Sequence, residues 1–208
     1  MAARRTYGNQ NATRPRNEIS DEDYFNGWPA SMYNEDLKWA SAHAIQYLTK
    51  IAPQLKAAGK KGIVVFDIDD TLVFGDPAEV IGLKEMEWVH KGQSVFILPV
   101  NDSIVKIAHV ARQLGFRIVC LTARPIESKL ASATNLNMFK VPYDDLIMNE
   151  KDQDPFFKIH VRQKLDSIPG QEVIATIGDQ ITDLLLCGKA AAIKLPTPES
   201  KCSYVYLP

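Results

Sequence analysis

Cysteine is scarce. The 208 residues hold three, Cys120, Cys187 and Cys202, with no CxxC pair and no zinc-ligand spacing. An odd, scattered set excludes a disulfide framework and reads as reduced thiols in an intracellular protein. A run of about 18 apolar residues is also missing, so no membrane span is expected. The opening stretch, MAARRTYGNQNATRPRNEIS, carries basic residues but no apolar core behind them, which is not the form of a secretory signal. The expected location is therefore cytoplasmic. An excess of either charge is absent too: the net charge is -1, so neither a basic field for nucleic acid nor an acidic solvating tail is indicated. The four histidines are spread without ligand spacing and read as structural.

What is present is the balance of an ordinary globular protein, 46% apolar and 24% charged. Residues 1–20 are polar, with Arg4, Arg5, Arg14 and Arg16, and are expected to form a flexible tail. Residues 21–60 are expected as an N-terminal helical extension. Leu37, Ala40, Ala44, Leu48, Ile51 and Leu55 recur at helical spacing, with Asn34 as N-cap, Gly59 as stop and Pro53 as a point of kinking or of an earlier end. From 61 to 208 short apolar runs at 63–66, 117–121, 173–177 and 190–195, and a weaker one at 146–148, alternate with helical patterns at 101–114, 125–136, 155–167 and 180–188. This alternation predicts an α/β fold, a three-layer parallel sheet with helices on both faces. Ligands of such sheets bind beyond the carboxyl ends of the strands.

Those strand ends carry the chemistry. The first run continues as IVVFDIDDT, placing Asp67, Asp69 and Asp70 directly after four apolar residues. The second ends in LTAR, with Thr122, Ala123 and Arg124. The run at 173–177 ends in GDQITD, with Asp179 and Asp183. Between them, DPFFKIHVRQKL reads as a helix carrying Lys158, Arg162 and Lys164. Clustered carboxylates at one sheet edge suit a hard cation such as Mg²⁺. A carboxylate can attack phosphorus, a second can move protons, and a hydroxyl and a lysine can hold phosphoryl oxygens. Asp70 is read as a turn residue, and Arg162 as a salt-bridge partner or a helper on the phosphate side. Arg124 has two readings, a substrate contact or a helix cap.

In order along the chain, DIDDT, LTAR, Lys158 and GDQITD resemble the four signatures of haloacid-dehalogenase-like (HAD) phosphatases, over roughly residues 60–200. FKIHVRQKL and IGDQITDL…IKLPTP resemble the subgroup of plant acid phosphatases, vegetative storage proteins and class B acid phosphatases. The resemblance implies a HAD-like, Rossmann-like fold and a Mg²⁺-dependent phosphomonoester hydrolase. It implies Asp67 as nucleophile, Asp69 as general acid/base, and Thr122 and Lys158 as phosphate holders, with Lys164 the rival to Lys158. Substrate contacts would come from Thr122, Ala123, Arg124 and Lys158. It places Mg²⁺ on the Asp67 carboxylate, the Asp69 backbone carbonyl and Asp179, with Asp183 orienting a water of the metal or Lys158. The partner expected is a small phosphorylated substrate. An end of a nucleotide or nucleic acid is the alternative that the arginines of the tail raise, and a storage or scaffold protein without turnover is the alternative of another class. A small flap at 74–100 is expected over the site.

Overall fold

The central strands are buried on both faces, and successive side chains alternate between two cores. In β2 (Lys61–Phe66), Val64 and Phe66 join a large core on one face, while Ile63 and Val65 join a smaller one on the other. The computed structural model describes residues 2–6, 30–73, 100–149, 156–185, 187–196 and 202–208. The expected flap, with His90, lies almost wholly outside these residues.

The larger core is covered by α1 (Ala30–Ala57), α2 (Asp102–Gln113) and α3 (Lys129–Met138), which bury Leu48, Ile107 and Leu136 among others. The smaller is covered by α4 (Phe157–Asp166) through Phe157, Val161 and Leu165. The layers are thus helix, sheet, helix, as the alternation predicts. Beside β2 lie β3 (Arg117–Pro125) and β5 (Gln171–Gly178), both parallel to it. β4 (Asp145–Asn149) and β6 (Ala191–Lys194) extend the parallel set outward.

Two strands go beyond the expectation. β7 (Cys202–Tyr206) runs antiparallel to β6, and β1 (Ala2–Thr6), within the stretch expected as a flexible tail, runs antiparallel to β7. The sheet is therefore seven-stranded, in the order β1-β7-β6-β5-β2-β3-β4. Edge pairing is made by backbone groups and needs no run of apolar side chains, which is why composition did not signal it.

α1 begins at Ala30, so Asn34 is not its N-cap but lies within its second turn. Pro53 removes one N–H without ending the helix, which runs on to Ala57. Gly59 stops it in the left-handed region, φ 66°, where Lys60 N donates to Leu55 O at 2.9 Å and Gly59 N to Lys56 O at 3.2 Å. The pattern at 180–188 is not an α-helix. Among the described residues a single 3₁₀ turn forms there, Ile181–Asp183, and the carbonyls of Thr182 and Leu185 accept from the Arg162 side chain. Among the described residues no helix is long and apolar enough to cross a membrane.

Candidate active site

β2 delivers the first carboxylate. Its pairing with β5 carries one residue past Phe66: Asp67 N donates to Ile177 O at 2.9 Å, which fixes Asp67 at the carboxyl edge. The chain then folds back on itself. The amides of Thr71, Leu72 and Val73 all point to Ile68 O, at 3.3, 2.9 and 3.0 Å, and Asp70 takes a left-handed φ of 51°. Asp70 is thus the turn residue expected; a short polar side chain tolerates that conformation better than most. The turn also swings the Thr71 hydroxyl to 3.5 Å from Asp179 Oδ1.

Lys158 stands in the first turn of α4. Its Nζ lies 2.5 Å from Asp67 Oδ1 and 2.6 Å from Asp183 Oδ1, joining the ends of two strands. Lys164, in the last turn of the same helix, is exposed, so the site holds Lys158 and not its rival. Asp183 is seated by Gln180 N, which donates to its Oδ2 at 2.9 Å. Gly178 makes room for it: a Cβ there would stand 2.3 Å from both Cβ and Oδ2 of Asp183. Asp179 accepts from Gln180 Nε2 at 2.7 Å. Asp67, Asp179 and Asp183 are all buried and offer carboxylate oxygens within 4.8 Å of one another.

β3 supplies a second group. Alternation along the strand leaves Ala123 exposed while Thr122 and Arg124 both turn inward, and the register with β4 shifts between Thr122 and Pro125. Thr122 Oγ1 accepts from Arg124 N at 3.1 Å and lies 3.5 Å from Asp69 Oδ2. The Arg124 guanidinium grips Asp69: Nη2 is 2.5 Å from Oδ1, and Nε is 3.1 and 3.0 Å from the two oxygens. Nη1 donates to Ser132 Oγ of α3 at 2.8 Å. These bonds go to a side chain of the site and one of α3, not to the exposed backbone ends of the helix. The Asp69 carboxylate is thus turned to Arg124, while Asp67, Asp179 and Asp183 gather around Lys158.

Residues 16–201 match the family described as HAD superfamily, subfamily IIIB (Acid phosphatase), a stretch that includes every side chain just placed. The chain belongs to that subfamily. Solved structures similar to this HAD chain include the class C acid phosphatase from Bacillus anthracis, with a TM-score of 0.54, 13% identity, and coverage of 75% of this chain and 73% of that one. The same enzyme with tungstate bound gives a TM-score of 0.54 and 14% identity, over 74% and 68% of the two chains. A chain of the Pnkp1/Rnl/Hen1 complex gives a TM-score of 0.47 at 18% identity, over 60% of this chain and 41% of that one. The chain thus spans about two fifths of the length of that relative. No curated protein sequence matches it.

The electrostatics of this HAD site follow from burial. Removal from water and the nearby Asp183 push the Asp67 carboxyl well above the usual range, against the pull of Lys158. Burial, Asp183 and Asp70 bring Asp179 to about 6, with Gln180 and Lys158 opposing. Burial works against the Lys158 ammonium, but Asp67 and Asp183 outweigh it and hold its pKa above the ordinary lysine value. Three oxygen donors that are costly to ionise together are the donor set that a hard divalent cation relieves, so the residues fit such an ion.

A pH dependence follows. Between the ordinary 3.8 and about 6 the folded chain keeps a proton on Asp179 that the unfolded chain has lost. Stability therefore falls as pH rises through that interval. In metal-free protein, the melting temperature of Asp179→Asn is expected to fall less steeply than that of the wild type over the same interval. Parallel slopes would contradict the assignment.

The sequence brings Asp67, Asp69, Thr122, Lys158, Asp179 and Asp183 to one edge, and the structure places them together there, with Arg124 on Asp69 beside them. Sequence reasoning missed Thr71, Ser132, Gly178 and Gln180. Gln180 and Gly178 flank Asp179 and carried a positional signal; Ser132, buried on α3 eight residues beyond Arg124, carried none.

Proposed function

We propose that the protein is a Mg²⁺-dependent phosphomonoester hydrolase that acts through an aspartyl-phosphate on Asp67. The observation that carries this reading is the buried Asp67 carboxylate, bound by Lys158 Nζ at 2.5 Å and within 4.8 Å of Asp179 and Asp183. In this reading one Asp67 oxygen attacks phosphorus, and the bond to the alcohol oxygen breaks. The leaving oxygen takes a proton from Asp69, whose direction is set by the Arg124 grip. Asp69 then takes a proton from water as that water attacks the phosphoryl group, and Asp67 is released with inorganic phosphate. Thr122 Oγ1 and Lys158 Nζ hold phosphoryl oxygens, and Arg124 and Ala123 border the substrate. Asp183 holds Lys158 in place. Asp67, Asp179 and the Asp69 carbonyl would hold Mg²⁺, whose charge would neutralise that of the transferring group.

The alternative is a storage or scaffold protein that keeps the fold without turnover. Release of p-nitrophenol from p-nitrophenyl phosphate separates the two. Hydrolysis is expected with added Mg²⁺ and is expected to vanish with EDTA and return on resupply. A metal-supplemented preparation without hydrolysis of any phosphomonoester in a broad panel would favour the scaffold; full activity in EDTA would remove the metal from the reading.

A further inference from the structure

Arg162 lies one turn beyond Lys158 on α4 and is 2% exposed. A guanidinium buried so completely is ordinarily matched by a carboxylate. Here it makes no ion pair within salt-bridge distance among the described residues, so of its two expected roles, salt-bridge partner or helper on the phosphate side, the first is not seen. Its Nη2 donates instead to two backbone carbonyls, Leu185 O at 2.7 Å and Thr182 O at 3.0 Å, and its Nε has no hydrogen-bond partner. Hydrogen bonding to neutral carbonyls offsets only part of the cost of burying the charge. The residue is thus expensive as a plain packing element, and its hydrogen bonds all go to one place.

That place is the turn that carries Asp183. Thr182 and Leu185 bracket it, and their carbonyls are the ones that a continued helix would have used. With both drawn to Arg162, the 181–185 segment stays a single 3₁₀ turn. In that turn Asp183 Oδ2 accepts from Gln180 N at 2.9 Å and Oδ1 reaches Lys158 Nζ at 2.6 Å. Lys158 and Arg162 come from the same helix, so α4 grips the turn twice, once by the carboxylate and once by the backbone on either side of it.

We propose that Arg162 is a positioning residue for this site: by fixing the carbonyls of Thr182 and Leu185 it holds Asp183 on Lys158, and so sets where Lys158 stands against Asp67. The proposal deepens the phosphatase reading and, for its kinetic consequences, rests on it. It does not place Arg162 in contact with the reacting atoms. Lysine at 162 retains the charge but not the fixed planar fork, so Arg162→Lys recovers part of what Arg162→Met loses.

The test is a cycle of wild type, Arg162→Met, Asp183→Asn and the double variant, with Arg162→Lys alongside. The readouts are crystal structures, Mg²⁺ affinity by calorimetry, and kcat and KM for p-nitrophenyl phosphate. Outer partners of this kind typically contribute about 10–100-fold to metal affinity or rate. Arg162→Met is expected to lose that much in kcat, with Arg162→Lys between it and wild type. The double variant is expected to be no worse than Asp183→Asn, because Arg162 acts through Asp183. In its crystal structure Arg162→Met is expected to show Asp183 parted from Lys158. If the wild type shows no hydrolysis, the phosphatase reading fails while the crystal structure still decides this one. If Arg162→Met does not fold, the structure and rate of Arg162→Lys carry the decision. An unmoved Asp183–Lys158 contact, or losses that multiply in the double variant, would overturn the proposal.

Discussion

Asp67→Asn is expected to end turnover while leaving the protein folded. The amide has no anionic oxygen with which to attack phosphorus, and it gives up one charge of the three buried carboxylates that would hold a cation. Loss of a covalent nucleophile in other hydrolases costs far more than 10³-fold, so a residual rate below about a thousandth of wild type is expected. The fold is expected to tolerate the change without metal, because Asp67 is costly to ionise where it stands: burial and Asp183 both disfavour its charge. Circular dichroism and a melting curve establish the fold; a stopped assay with p-nitrophenyl phosphate measures the residual rate. A variant that kept a few per cent of the wild-type rate would remove Asp67 as nucleophile.

Lys158→Met is expected to have the other large effect, and a different one. The lysine is the cation between Asp67 and Asp183, at 2.5 and 2.6 Å, and its side chain is only 12% exposed. Removing one partner of a buried ion pair leaves uncompensated charge and costs about 3–5 kcal/mol. The metal-free variant is therefore expected to melt well below wild type at pH 8. Mg²⁺ is expected to recover much of that loss, since a cation among the same carboxylates replaces the missing charge. Turnover is not expected to return, because the ammonium proposed to hold the phosphoryl group is gone. Lys164→Met, an exposed position on the same helix, is expected to change neither. Equal melting of Lys158→Met and wild type in EDTA would show that the lysine is not the balancing charge.

Much of this site could be read from the sequence because its carboxylates sit directly at strand ends, where an apolar run followed by Asp is hard to mistake. Asp67 after IVVF and Asp179 after VIATIG are of this kind. Lys158 was legible through its place after DPFF at a helix start and through the resemblance of that stretch to the family motif. The Arg124 grip on Asp69 was not legible, since it joins side chains 55 positions apart and no local pattern says which acidic group the guanidinium will meet. The segment after Asp179 was misread for a related reason. Ile181, Leu184 and Leu185 have helical spacing, but the carbonyls of Thr182 and Leu185 go to Arg162, a side chain of another helix. The parallel centre of the sheet was legible from runs buried on both faces. The pairing of β1 with β7 was not, because it is written in backbone hydrogen bonds and in no preference of side chains.

That last pairing has a consequence for how the chain reaches its native state. Ala2 stands opposite Tyr206, so the strand pair at the sheet's rim joins segments separated by nearly the full contour of the polymer. The β2–β5 and β2–β3 ladders close shorter loops and each secures a buried core in doing so. Closing the longest loop costs only slightly more entropy than closing one of half its length, about 0.6 kcal/mol per doubling. The return at the rim, however, is one edge ladder, available only after β6 has ordered and β7 has docked beside it. High contact order without an early reward makes β1 a late arrival in the folding sequence, and on reversal the first strand to peel away.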